Sequence, residues 1–247
     1  EQGNTSTTNQ TGNKNMTTVT QKGASNSSTV NQNQGFGDGH EAYVTQKSGN
    51  NNSSDILQEQ SSANAWVNQI GHSNQSKLKQ SGLNDARVIQ KGNNNVVGQY
   101  GAFYTKPAYQ KNGTGTSTDD MSKLNVNQNG NQNKAGIWQE HHTKADIDQI
   151  GNSNQAKVYQ KANPAKGEYT KAKVWHKGDG NYTDENQTGE DHKANHLVRG
   201  SGNNVNIEQT STQNATVIDQ KNWGSGMNNN NTINVTQLHA GQNDFYS

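Results

Sequence analysis

Hydrophobic residues make up only 26% of this 247-residue chain, yet the aliphatic ones keep to a fixed frame. In NQSKLKQ (74–80), Asn74, Ser76, Leu78 and Gln80 take alternate positions, and Gln75, Lys77 and Lys79 fill the steps between. The frame returns as NMTTVTQ (15–21), NSSTVNQ (26–32), NSSDILQ (52–58), NDARVIQ (84–90), NQAKVYQ (154–160) and NTINVTQ (231–237), among others. Alternation with period two is the pattern of a strand with one buried face. The buried set then reads Asn or Ser, a small residue, an aliphatic, and Gln. The aliphatic slot holds Val19, Val30, Val44, Ile56, Val67, Leu78, Val88, Val126, Ile137, Ile147, Val158, Val174, Ile207, Ile218 and Val235. The amides that open and close the units are Asn15 and Gln21, Asn26 and Gln32, Asn52 and Gln58, Asn74 and Gln80, Asn84 and Gln90, Asn133 and Gln139, Asn154 and Gln160, Asn203 and Gln209, Asn214 and Gln220, and Asn231 and Gln237. Gln69, Gln128 and Gln149 close units that open on another residue.

About twenty units run from Asn4 to Gln237, with starts about 11 residues apart, so two units make a period of about 22. Gly12, Gly23, Gly71, Gly92, Gly130, Gly151 and Gly189 each follow a frame Gln by two residues, where a positive φ lets the chain turn. Strand and turn alternating at this period predict an all-β fold. It is a β-solenoid with cross-β axial spacing, of about ten two-strand coils that stack end to end into a fibre. Residues 1–3 form an N-terminal tail in this reading, 4–237 the repeat array and 238–247 a C-terminal tail. A weak coil falls at 95–121, where Gln99 takes the aliphatic slot of NVVGQYG (95–101) and Pro107 removes a donor from YTKPAYQ (104–110). Long connections at 33–39, 111–121, 161–169 and 221–230 project from the solenoid. At longer range NQIGHSNQSKLKQ (68–80) returns as DQIGNSNQAKVYQ (148–160), a displacement of four coils by this count.

Composition alone points to disorder, with a mean hydropathy of −1.23 and a formal net charge of only +1. The register of the aliphatics argues against it, because a random polar chain has no reason to keep them in one frame. Stacking makes a polar core tenable: in an in-register column each Asn or Gln amide donates to one neighbour and accepts from the other. There is no cysteine, so disulfides and thiolate metal sites are excluded. No apolar run is long enough for a membrane-spanning helix. The 21 basic residues are matched by 20 acidic ones, so a nucleic-acid footprint is absent. The polar start EQGNTSTTNQTG is expected of a mature secreted chain whose signal peptide has been removed.

Asn or Ser, five residues, Gln, a Gly-containing spacer, then Asn, five residues and Gln resembles the repeat of the curlins, the subunits of bacterial curli fibres. The likeness is closest in Ala63–Gln80, Thr143–Gln160 and Asn203–Gln220. It implies an extracellular, cell-surface functional amyloid of the biofilm matrix that polymerises with copies of itself and serves adhesion and cell aggregation. It also implies export through an outer-membrane channel, a nucleator subunit, an accessory chaperone and no cofactor. The chain departs from well-known members in its larger number of coils. The alternative is a soluble secreted β-solenoid that binds glycan or another surface ligand.

Candidate chemistry is thin. Adjacent His141 and His142 lack a third ligand at useful spacing and are expected in solvent. No nucleophile stands at a known spacing from a base, so no enzyme is expected. His176 replaces a frame Gln, while Glu185 and His196 both take aliphatic slots. Glu185 with His196, or Glu185 with His176, is a candidate pH-sensitive pair; the competing expectation is a bulge that turns Glu185 to solvent. Trp66, Tyr104, Trp138, Tyr159 and Trp175 fall at outward positions.

Overall fold

The computed structural model describes residues 3–34, 39–99, 106–111, 121–162, 169–221, 231–238 and 243–246. One sheet stacks β1 (Thr5–Thr11), β3 (Ser27–Gln34), β5 (Ser53–Gln60), β7 (Gln75–Ser81), β9 and β10 (Val96–Gln99, Ala108–Lys111), β12 (Lys134–Glu140), β14 (Gln155–Lys161), β16 (Tyr182–Glu190), β18 (Asn204–Thr212) and β20 (Thr232–Gln237). The other stacks β2 (Met16–Gln21), β4 (Glu41–Lys47), β6 (Ala63–Ile70), β8 (Asn84–Lys91), β11 (Ser122–Asn129), β13 (Thr143–Ile150), β15 (Thr170–Lys177), β17 (Lys193–Arg199), β19 (Asn214–Lys221) and β21 (Asn243–Tyr246). Successive strands alternate between the sheets, except that β9 and β10 both lie in the first, and pairing within each is parallel and in register. This is the β-solenoid that the period-two frame predicts. From one frame Gln to the next in the same column the chain advances between 21 residues (Gln139 to Gln160) and 38 (Gln90 to Gln128).

The alternation of the frame becomes an alternation of burial. Along β7 Ser76, Leu78 and Gln80 are buried while Gln75, Lys77 and Lys79 reach the surface. The need for a small second residue follows from the facing of the sheets, because it stands opposite a Gln of the other sheet. Thr17 Oγ1 donates to Gln32 Oε1 at 3.0 Å, and Gln209 Nε2 donates to Thr216 Oγ1 at 3.0 Å. Glycine at the corner is a packing requirement as well as a conformational one. Gly71 and Gly92 have φ of +109° and +108°, and a Cβ on Gly71 would collide with the carbonyl of Gly92 one level on.

Three expectations change. The stretch expected as two poor units is one level. β9 pairs with the first half of β12 and β10 with the second, so Ala108 lies in line with Leu78 in the aliphatic column and Gln110 pairs with Gln80 and Gln139. Residues 100–105, which include Tyr104, lie outside the described residues, and Pro107 precedes the strand instead of interrupting it. Removing one level shortens the displacement between the two echoing segments. β7 and β14 stand three levels apart, not four. The stretch expected as a C-terminal tail contributes β21, with Asn243–Tyr246 in register with Asn214–Val217. Of the long connections, residues 35–38, 112–120, 163–168 and 222–230 lie outside the described residues.

The apolar core is not continuous. One cluster extends from Val30 to Val174, and a second holds Val198, Val205, Ile207, Ile218 and Val235. The break falls at the level of Glu185 and His196.

Candidate functional site: axial amide columns and their interruption

In the first sheet a Gln column runs without interruption through every described level. Nε2 of Gln10 donates to Oε1 of Gln32 at 2.7 Å, Gln32 to Gln58 at 3.0 Å, Gln58 to Gln80 at 3.1 Å and Gln80 to Gln110 at 3.0 Å. It continues through Gln139, Gln160, Gln187 and Gln209 to Gln237. Every bond points toward the C-terminus, so the column has a polarity. The second Nε2 hydrogen crosses the core to a backbone carbonyl, as from Gln80 to Asn64 O at 2.9 Å. A fully buried amide is thus satisfied on all sides, which removes the penalty that isolated burial would carry.

The Asn column at the other end of these strands ties side chain to backbone. Asn74 Nδ2 donates to the Gly92 carbonyl at 2.8 Å, and its Oδ1 accepts from the backbone N–H and the Nδ2 of Asn95, at 3.1 and 3.0 Å. Asn26, Asn52, Asn133, Asn154 and Asn203 occupy the same column. So does Asn181, which sequence reasoning passed over because Glu185 spoils the unit that it opens. Asn231 belongs to the column but is exposed, at 3.3 Å from Asn203 Oδ1. In the second sheet Asn15, Asn84 and Asn214 hold the equivalent slot, and His40 and His192 imitate them. Nδ1 of His40 accepts from Ala63 N–H at 3.2 Å, and Nδ1 of His192 accepts from Asn214 N–H at 3.4 Å. Their signal was present: His40 stands six residues before Gln46, as Asn74 does before Gln80.

The second Gln column links Gln21, Gln46, Gln69, Gln90, Gln128 and Gln149, with bonds of 2.8 to 2.9 Å. It then stops. The next level places His176 in line with Gln149, the one after places Val198, and Gln220 follows. The aliphatic columns carry Val19, half-buried at the edge, and Val44, Val67, Val88, Val126, Ile147 and Val174 in the second sheet. Val30, Ile56, Leu78, Ile137 and Val158 fill them in the first, with Ile207, Ile218 and Val235 beyond the break.

At the break, Glu185 is in line with Val158 and Ile207, and His196 with Val174 and Ile218. Both are fully buried, with His196 Nε2 3.8 Å from Glu185 Oε2; no bulge turns Glu185 to solvent. His176, also fully buried, places Nε2 2.8 Å from Thr183 Oγ1. Burial holds the Glu185 carboxyl well above the usual carboxylate range and pushes His176 and His196 down to about 3. His142 also departs from expectation: it is buried, its ring 6.3 Å from that of Tyr169.

Outward side chains form columns too. Tyr109, Trp138 and Tyr159 follow one another with ring centroids 4.5 and 6.4 Å apart. On the other sheet Tyr43 meets Trp66 edge-on at 5.2 Å, with Trp66 53% exposed, and Arg199 lies over Trp175. Lys123, Lys144, Lys171 and Lys193 are in register on four successive strands.

Coils of two strands, bonded level to level through columns of like amides, define a parallel β-solenoid of stacked repeats. Residues 12–47 match the family described as curlin associated repeat. No curated protein and no solved structure matches it.

Proposed function

We propose that the chain is a structural, non-catalytic subunit of an extracellular, curli-like amyloid fibre that polymerises by head-to-tail stacking of its coils and serves adhesion and cell aggregation in a biofilm matrix. The observation that carries this reading is the polar Gln column from Gln10 to Gln237. Each level templates the next through the same bond, so a further copy adds by repeating a contact already made nine times within the chain. In the joined fibre the Gln237 amide of one copy donates to Gln10 Oε1 of the next. The curlin repeat supports a secreted, cell-surface location, and with it a nucleator subunit, an outer-membrane secretion channel and an accessory chaperone as partners.

The test is a seeded time course on freshly desalted protein with fibre diffraction of the product. A lag removed by seeds, and an axial reflection near ~4.8 Å, are expected. Immediate strand signal without growth would overturn the reading. That outcome would favour a soluble solenoid that binds glycan, for which exposed Trp66 beside Tyr43 and Arg87 offers a stacking platform.

A further inference from the structure

Three features coincide in the coil formed by β15, β16 and β17. The apolar core divides there into two clusters, the second Gln column stops there, and three titratable side chains, His176, Glu185 and His196, sit there with no exposure. Neither oxygen of Glu185 nor either nitrogen of His196 has a hydrogen-bond partner, and the 3.8 Å between them is too long for one. The inward residues that β13, β14, β18 and β19 present to this space are amides, hydroxyls and aliphatics, Val158, Ile207 and Ile218 among them. The other titratable group facing the interior of the coil, among the described residues, is His192, which immediately precedes β17 and is hydrogen-bonded to Thr188 O. The lysines and Asp184 of these strands, with Glu190 and Arg199, lie on the outer surface or at the corners.

We propose that this coil is a proton-controlled seam, closed only while His176, Glu185 and His196 are all uncharged, so that it loosens on both sides of a narrow, mildly acidic optimum. A charge on any of the three would stand in an apolar interior with nothing to solvate it, and the coil opens to restore its hydration.

The direction of each limb follows from proton linkage. In the open coil Glu185 ionises near its ordinary value of 4.5, but the closed coil keeps it neutral. Closing therefore takes up a proton, and stability falls as pH rises above that value. The histidines act in the opposite sense. Open, they are protonated below their ordinary 6.5; closed, they stay neutral down to about 3. Closing then releases protons, and stability falls as pH drops below 6.5. His192, lowered by burial, adds to this acid limb. Between 4.5 and 6.5 two histidines outweigh one carboxyl, so the maximum stands at about 6.5.

The seam belongs to the folded coil whether or not the chain polymerises, so its test is hydrogen exchange on the full chain in its β-rich form, soluble or fibrous. Protection factors are compared between Thr170–Arg199 and an internal reference, Ser53–Lys91, whose inward positions hold no titratable group. Protection of the seam relative to the reference should peak near pH 6.5 and fall on each side, by up to about tenfold per unit on the alkaline side. Glu185→Val should flatten the alkaline limb, and His176→Gln with His196→Val most of the acid limb. These substitutions insert the residues the frame uses elsewhere, so the fold is retained. Seam and reference changing in parallel across pH 4–9, or both limbs surviving in the triple variant, would overturn the proposal.

Discussion

Gln149 stands directly in line with His176 on the neighbouring strand, and the amide column of the second sheet ends at that step. The imidazole turns instead across the core to Thr183, 2.8 Å away. Its Nδ1 is buried without a partner, and Gln149 Nε2 is left with only the carbonyl of Lys134. His176→Gln extends the column by one level, with an acceptor for Gln149. It should stabilise the fold by about 1 kcal/mol at pH 7, the net worth of a buried hydrogen bond, and by more at lower pH where the imidazole is penalised. A denaturant midpoint measured at pH 7 and pH 5 checks both statements.

Within the intact column the worth of a Gln depends on its neighbours. Gln80 donates to Gln110 and accepts from Gln58, and it is fully buried; Gln10 has a partner on one side and is exposed. Gln80→Ala orphans a buried acceptor and opens a cavity, at a cost of about 3 kcal/mol, whereas Gln10→Ala costs about 0.5 kcal/mol or less. Equal losses in urea-midpoint measurements at unchanged slope would mean that the amides do not act as a column.

The corner separates two kinds of left-handed residue. Gly92 sits at φ +108°, and an added Cβ would meet the carbonyl of Gly130; Asn94, two residues on, has φ +56° in the ordinary left-handed well. Gly92→Ala should cost about 3 kcal/mol or more, because neither the conformation nor the contact can relax without separating two levels. Asn94→Gly should be neutral or stabilising by up to about 1 kcal/mol. Thermal midpoints of the two variants should therefore move in opposite directions or differ severalfold.

Much of this architecture is legible in the sequence because a period-two frame of amide and aliphatic slots leaves little freedom. Leu78, Val88 and Val126 point inward as their positions in the frame require. What the sequence hides is continuity across an insertion. Val96–Gln99 and Ala108–Lys111 look like two damaged units, yet a parallel ladder needs only register with its neighbours, so half a strand from each side of the insertion completes one level. Gln99 and Ala108 both fall opposite the position of Ile137, and no single-strand pattern conveys that. His40 and His192 were hidden for a different reason. An imidazole Nδ1 presents the same acceptor as an Asn Oδ1, but composition-based reasoning groups His with metal ligands rather than with amides.

Register also imposes an unfavourable column on the outer face. Lys144 lies between Lys123 and Lys171, and Lys171 between Lys144 and Lys193, at the strand spacing of ~4.8 Å. The ends of the row are relieved: Asp85 precedes Lys123 in the same column, and Asp191 is 3.3 Å from Lys193. The two middle lysines are exposed, so each like-charged pair costs only a few tenths to about 1 kcal/mol. Lys144→Glu replaces two repulsive neighbours with two attractive ones and should stabilise the solenoid by about 1 kcal/mol at low ionic strength, while Lys144→Gln should give about half of that. Because the Debye length shrinks from about 10 Å at 0.1 M salt to about 3 Å at 1 M, the advantage of both variants should largely vanish at the higher concentration. Thermal midpoints of the wild-type chain and the two variants at 0.02 M and 1 M salt decide the matter. A Lys144→Glu advantage that persists unchanged in high salt would place its origin in packing instead of charge.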